Sequence, residues 1–219
     1  MTLGEQIEFP PIETATEEGL LACGGELTPD WLLAAYRQGI FPWPVGDPPL
    51  LENAWWCPDP RAVMEFDDLY VSRRLARTMR SGRFTVTHDA DFEAVLEGCA
   101  QPRDDGGTWL TVPLQRGFTK LHHMGLAHSV EIWHGGQLVG GVYGLALGGY
   151  FSAESMFHTE RDASKVALVH LMRHLQQQGF TLVDLQVLTD HTLSMGASEI
   201  TRRVFVQRLN EALTGDVKF

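Results

Sequence analysis

Six of the eleven prolines in this 219-residue chain fall between Pro42 and Pro60, in the stretch FPWPVGDPPLLENAWWCPDP. Proline fixes φ and carries no backbone donor, so this spacing predicts a stiff, irregular segment rather than a helix or an interior strand. It divides the chain into a small N-terminal domain, residues 1–62, and a larger domain, residues 63–219. In the first, Thr28-Pro29-Asp30 has the form of an N-cap followed by a first-turn proline, and Gly39 suits the C′ position. A helix is predicted between them.

After Arg61 the pattern becomes regular. Helices are predicted from Asp89 to Ala100 and from Val112 to Met124, on either side of a Gly106-Gly107-Thr108-Trp109 loop. Strands are predicted from Ser129 to Trp133, Leu138 to Leu147 and Tyr150 to Phe157. His134-Gly135-Gly136-Gln137 and Gly148-Gly149 supply the tight turns between them. A helix capped by Asp162 and ended by Gly179 follows, with Leu168, Leu171, Met172 and Leu175 on one buried stripe. Thr181 to Leu188 forms a last strand. Antiparallel hairpins, then helix, then strand predict an α/β (α+β) mixed sheet with flanking helices. The order also matches the core of the acetyltransferase-like fold.

In Val183-Asp184-Leu185-Gln186-Val187, strand alternation puts Asp184 and Gln186 on one face. Ser152, Glu154 and Met156 share a face by the same rule. These are either the solvated faces of two half-buried strands or a covered site. Pattern alone favours the solvated reading; the crossing helix and the otherwise apolar second strand weigh against it, and a carboxylate under cover would need a partner and could have a raised pKa.

The net charge of -11 argues against a generic nucleic-acid binder and against DNA as a partner, but not against RNA held by one basic patch. VSRRLARTMRSGR is such a patch, with five arginines and no acid from Leu69 to His88. On a helix Arg73, Arg77 and Arg80 form one stripe, either a solvated face or a phosphate-binding one. Trp43, Trp55, Trp56 and Trp109 lie in loop-like sequence, suited to core packing or to stacking on a base.

Other chemistries find little support. His170 and His174 lack the intervening glutamate of a zinc site, and His122, His123 and His128 lack a matching cysteine or carboxylate. There is no G-x-S-x-G, P-loop or G-x-G-x-x-G motif, so neither a metal nor a cofactor is expected. Cys23, Cys57 and Cys99 are far apart and fit buried thiols of a reducing compartment. Without a signal segment or a run of roughly 20 apolar residues, a cytoplasmic protein with no membrane partner is expected.

Several stretches together resemble the bacterial leucyl/phenylalanyl-tRNA–protein transferases. They are GIFPWP (Gly39 to Pro44), WWCPDPRAV (Trp55 to Val63), GTWLT (Gly107 to Thr111), AHSVEIW (Ala127 to Trp133), LVGGVYG (Leu138 to Gly144), ESMF (Glu154 to Phe157), ASKVAL (Ala163 to Leu168) and DLQVLTDH (Asp184 to His191). They run in family order over nearly the whole chain. The resemblance implies a small N-terminal domain on an acetyltransferase-like domain. It also implies transfer of leucine or phenylalanine, sometimes methionine, from aminoacyl-tRNA to an N-terminal arginine or lysine, marking the acceptor for degradation.

By that match, Glu154, Asp184 and Gln186 resemble the catalytic centre, and Trp43 and Trp109 the pair that stacks on the terminal adenosine. Phe151, Met156, Leu171, Leu175 and Val183 resemble the pocket for the aminoacyl side chain, and Arg73, Arg77 and Arg80 the tRNA-contacting cluster. Val142, Leu171 and Leu175 stand where the family pocket has bulkier residues. The expected roles have Asp184 orienting Gln186 and taking up proton charge, Gln186 holding the attacking amine, and Glu154 binding an amino group. An acyl-CoA-dependent N-acyltransferase is the rival enzyme, but the acids of His158-Thr159-Glu160-Arg161-Asp162 oppose an anion at its docking turn. A non-catalytic RNA-binding module is the other rival, and it has no use for a covered Asp184 and Gln186.

Overall fold

The structure, a computed structural model, describes residues 7–45, 53–102 and 110–219. The N-terminal part comprises β1 (Leu20–Cys23), α1 (Pro29–Tyr36), β2 (Phe41–Pro42) and β3 (Ala54–Trp56), after a single 3-10 turn at Ile12–Thr14. β3 lies between β1 and β2 and is antiparallel to both. The proline-rich stretch therefore does supply an interior strand, contrary to expectation. Its Ala54-Trp55-Trp56 run is free of proline and rich in aromatic strand formers. Pro42 sits on the edge strand β2, where its missing N–H interrupts no ladder. α1 starts with Pro29 at its first turn, although the Thr28 side chain makes no cap bond.

The main sheet has seven strands, β4 (Arg61–Val63), β5 (Thr85–His88), β6 (Ala127–His134), β7 (Gln137–Leu147), β8 (Tyr150–His158), β9 (Leu182–Gln186) and β10 (Ser198–Ile200). Their order is β10-β4-β9-β8-β7-β6-β5. Every neighbouring pair is antiparallel except β8 and β9, which are parallel. The helices are α2 (Arg73–Arg80), α3 (Phe92–Ala100), α4 (Val112–His123), α5 (Ala163–Gln178), α6 (Asp190–Leu193) and α7 (Arg202–Leu213). This is the mixed α/β sheet with flanking helices read from the sequence.

The long hairpin strands and α5 fall where alternation and turns placed them. α3 starts three residues later than Asp89, because the Asp91 side chain caps it by accepting from Ala94 N. Asp162 stands at the N-cap of α5 with φ 72° but makes no cap bond. Its carboxylate instead accepts from the Arg74 guanidinium at 3.0 Å. Cys57 and Cys99 are buried as expected, whereas Cys23 is exposed.

One apolar cluster joins Tyr36, Phe41 and Trp55 of the N-terminal part to Phe118, Tyr143 and Phe205 of the rest. A second fills the space between the sheet and α5, with Phe151, Val183, Leu171 and Leu175 among its members. Gly144 on β7 has no room for a side chain, since a β-carbon there would collide with the Ser152 carbonyl and the Phe151 ring. β7 and β8 approach closely because of it.

Candidate active site

β8 and β9 pair over three positions, Tyr150 with Leu182, Phe151 with Val183 and Ser152 with Asp184. Beyond these the strands cease to pair, and both border a cavity of about 400 Å³. Glu154 and Met156 of β8, Leu185 and Gln186 of β9, and Phe41 and Trp43 of the N-terminal part stand in its wall.

Glu154 reaches this wall through a break in the pleat. Against β7, Tyr143 pairs with Ser155 and Gly144 with Ala153, so Glu154 is the extra residue of a β-bulge. A bulge bends its strand and re-aims side chains. Ser152, Glu154 and Met156 therefore do not follow simple alternation, and four consecutive residues, Ala153 to Met156, border the cavity.

Gln186 ends β9 in the left-handed conformation, with φ 59°. Such backbone costs a non-glycine residue on the order of 1 kcal/mol and persists only where its surroundings hold it. Here Asp184 Oδ1 accepts the Gln186 N–H at 2.9 Å. The side-chain Nε2 donates to Ser152 Oγ at 2.7 Å and to Glu154 Oε1 at 3.2 Å. Both amide hydrogens are thus engaged. Among the described residues nothing donates to Gln186 Oε1, and the residue stands in the cavity wall.

Asp184 is fully buried and does not border the cavity. Arg61 Nε and Nη2 donate to its two oxygens at 2.8 and 2.7 Å, and Tyr150 Oη donates to Oδ2 at 2.7 Å. With the Gln186 N–H it accepts four hydrogen bonds, which satisfy both of its buried oxygens. Arg61 is equally buried, donates from Nη1 to the Gly39 carbonyl at 2.9 Å, and lies over the rings of Phe41 and Phe205. Burial opposes its charge, but the Asp184 carboxylate outweighs burial and raises its pKa. Burial, and then Asp184, push the Tyr150 hydroxyl well above its ordinary range.

Glu154 is different. Burial lifts its pKa from 4.5 to about 7, and its hydrogen-bonding neighbours Tyr36 and Ser152 hold it from rising further. Tyr36 Oη lies beside the carboxylate, is itself buried, and completes no hydrogen bond of normal geometry. Near neutrality Glu154 therefore exists in both protonation states, the condition of an effective acid or base.

Of the residues expected to form an apolar pocket, Met156 borders the cavity, together with Val142. Phe151, Leu171, Leu175 and Val183 do not. Each is at most 1% exposed, in the apolar cluster that also holds Val142 and packs against Met156. Register explains this, because Phe151 and Val183 point to the opposite face from Ser152 and Asp184, the face that α5 covers.

Trp43 stands in the cavity wall, and Trp109 lies outside the described residues. Arg73, Arg77 and Arg80 are exposed on α2 and form no ion pair among the described residues. Arg74 and Arg83 pair instead with Asp162 and Glu160 at 3.0 and 2.5 Å. The two acids before α5 are thus neutralised by arginines rather than left to repel an anion. Among the described residues, no group of three histidines, cysteines or acids is placed to hold a metal ion.

The sequence pattern puts Ser152 on the face of Glu154 but gives no role to it, and it does not single out Arg61, Tyr150 or Tyr36. One signal was available for Arg61, since a buried aspartate in an apolar strand requires a cationic partner. What this arrangement offers a substrate is a carboxamide oxygen and a proton site at the wall of one cavity, the equipment of an enzyme.

The leucyl/phenylalanyl-tRNA protein transferase family model matches residues 63–210, and the model of that family's N-terminal domain matches residues 25–59. The chain is 54% identical over 201 residues to the leucyl/phenylalanyl-tRNA–protein transferase of Aromatoleum aromaticum, covering 90% of this chain and 84% of that one. It is 52% identical to that of Stutzerimonas stutzeri, covering 94% and 91%. The chain belongs to the leucyl/phenylalanyl-tRNA–protein transferase family. Solved structures give looser likenesses. One is L-PGS from Bacillus licheniformis, with TM-score 0.42, 16% identity and coverage of 62% of this chain and 48% of that one. Another is a GCN5-related N-acetyltransferase from Kribbella flavida, with TM-score 0.43, 15% identity and coverage of 66% and 55%.

Proposed function

We propose that this chain takes leucine or phenylalanine, and also methionine, from aminoacyl-tRNA and joins it to the N-terminal arginine or lysine of acceptor proteins. The product's new N-terminus then marks it for N-end-rule degradation in the cytoplasm. The observation that carries the reading is the pairing of Glu154, raised to about 7, with the Gln186 carboxamide at the wall of a largely apolar cavity.

The aminoacyl ester arrives activated, so the chief task is to align an amine with its carbonyl carbon. Gln186 Oε1 accepts a hydrogen bond from the incoming α-amine, whose reference pKa of about 7.7–8.0 leaves a neutral fraction for attack. The new C–N bond forms as the ester C–O bond to the ribose breaks. The amine's surplus proton passes to ionised Glu154, which hands it on to the ribose oxygen as that oxygen leaves. Asp184, saturated by Arg61, Tyr150 and the Gln186 N–H, is a positioning residue in this scheme rather than the proton acceptor.

Trp43, with Trp109, stacks on the terminal adenosine, and Arg73, Arg77 and Arg80 contact tRNA phosphates. Val142 and Met156 receive the aminoacyl side chain, backed by Phe151, Leu171, Leu175 and Val183. Residues 1–62 act as a small domain that closes the cavity through Phe41 and Trp43, against an acetyltransferase-like domain of residues 63–219. The deciding experiment incubates the protein with labelled Phe-tRNA or Leu-tRNA and a peptide that begins with arginine or lysine. Ribonuclease-sensitive transfer of label to the peptide is expected, and its absence overturns the reading.

A further inference from the structure

The polar wall of the cavity holds more groups than the transfer step uses. Besides Glu154 and Gln186, it includes His158, Ser164, Thr189 and His191. β8 ends on His158, whose Nδ1 meets Ser164 Oγ in the first turn of α5 at 3.3 Å. His191 stands on α6, whose start is fixed by the reciprocal cap between Thr189 and Thr192. Its Nε2 is buried and, among the described residues, has no hydrogen-bond partner. Lys165 follows Ser164, and its Nζ donates at 3.3 Å to the hydroxyl of Ser194, the residue that closes α6. The three basic groups sense one another, since burial and then Lys165 and His158 lower the His191 pKa.

In a chain of net charge -11 such a cluster has a specific preference. Two imidazoles and an ammonium, flanked by hydroxyls, oppose a further cation and offer hydrogen-bond donors to an anion. Neighbouring acids do not offset them. Glu160 pairs with Arg83 and His134, and Asp162 pairs with Arg74. Asp190 is exposed and does not border the cavity. An apolar occupant would leave His191 Nε2 unpaired, which is costly for a buried polar atom. A phosphate supplies both the acceptor oxygens and the negative charge.

We propose that His158, His191 and Lys165 bind the phosphodiester that joins the tRNA's terminal nucleoside to the nucleotide before it. The assignment rests on the transfer reading above and adds a subsite to it. Trp43, Gln186 and His191 wall one cavity, so a base on the indole can turn its ester to Gln186 and its 5′-phosphate to the imidazoles. The subsite also adjoins the arginine stripe. Arg74 of α2 binds Asp162 at the start of α5, and Ser164 and Lys165 lie in that same first turn.

The test compares two small donors, phenylalanine esterified to the 3′ oxygen of adenosine with or without a methyl phosphate on the 5′ oxygen. The methyl diester keeps the single charge of the tRNA backbone. In transfer to an arginine peptide, the wild-type KM should be about tenfold lower with the phosphate, the size of a hydrogen bond to a charged group. His191→Leu and Lys165→Met should each cut that advantage to about two- to threefold. Lys165 is only half-buried, so its variant remains decisive if His191→Leu fails to fold. Equal wild-type KM for the two donors, or an advantage that survives in both variants, overturns the subsite and leaves the transfer reading standing. A parallel rise in KM for both donors marks a structural role and overturns it as well. Titration with adenosine and with its 5′-methyl phosphate, followed by tryptophan fluorescence, separates the opposite case, in which neither donor nor Phe-tRNA gives transfer. A preference for the phosphate that both variants weaken then supports the subsite and refutes the transfer reading, and no preference refutes both.

Discussion

Glutamine at position 154 keeps the size of the side chain and an oxygen to accept from Gln186 Nε2, but it cannot ionise. The folded protein holds the Glu154 proton up to a pH of about 7, whereas the ordinary value is 4.5. Between those limits the unfolded chain has released a proton that the folded chain still binds, so stability falls as pH rises through the window. At about 1.4 kcal/mol per pH unit, the interval from 4.5 to about 7 amounts to about 3 kcal/mol, an upper figure because Glu154 touches the cavity. Glu154→Gln removes that cost. The variant should match the wild type near pH 4.5, gain on it steadily, and level off above pH 7 at about 3 kcal/mol more stable. Urea denaturation followed by tryptophan fluorescence across that range measures the gap. A gap that stays constant with pH refutes the raised acidity. The same substitution should lower transfer by about 100-fold, as loss of a general base does, and wild-type transfer should rise with pH to a plateau above about 7.

Three further outcomes follow from the geometry. Arg61→Leu and Asp184→Leu should each cost about 3–5 kcal/mol by stranding a buried charge, while the double variant recovers most of the loss. A denaturation cycle of the four proteins reads that coupling, and transfer should stay low even in the double variant because Gln186 has lost its support. Replacing Arg73, Arg77 and Arg80 together by glutamine should leave the melting temperature in place. The slope of log tRNA affinity against log salt should then flatten by about 2 to 3, as expected for three lost phosphate contacts. Gly144→Ala should cost about 1–3 kcal/mol in thermal unfolding, since its new β-carbon meets the Ser152 carbonyl and the Phe151 ring. The displaced β8 should also lower transfer through the neighbouring bulge.

Long elements announced themselves because their periodicity had room to repeat. β6, β7 and β8 run for 8, 11 and 9 residues between glycine turns, and α5 carries its apolar stripe through 16. β1, β2, β4, β5 and β10 have two to four residues each and exist because a partner strand is present, a fact that no local pattern carries. The site was legible as two polar faces in apolar strands. Its working geometry was not, because alternation assumes an unbroken pleat. The bulge at Glu154 and the left-handed Gln186 each violate that assumption. Alternation also cannot tell a face covered by chain from one covered by water. The ordered family motifs, rather than the pattern, weighed for cover at Asp184. The same motifs placed Phe151, Leu171, Leu175 and Val183 near the substrate, whereas the structure puts them one side chain behind Val142 and Met156.

Arg61 belongs to neither matched segment, falling in the gap between residues 25–59 and 63–210. Its guanidinium is held by the Gly39 carbonyl and the Phe41 ring on one side, and it holds Asp184 on the other. A chain begun at residue 63 would contain every residue of the longer match, including Glu154, Asp184 and Gln186, yet it would leave Asp184 without its counter-ion. The expected product is a fragment that carries all three residues and transfers nothing. Adding residues 1–62 as a separate peptide would have to restore an ion pair before it could restore a reaction. The two segments are distinct as stretches of sequence, and they form a single catalyst because one guanidinium crosses between them.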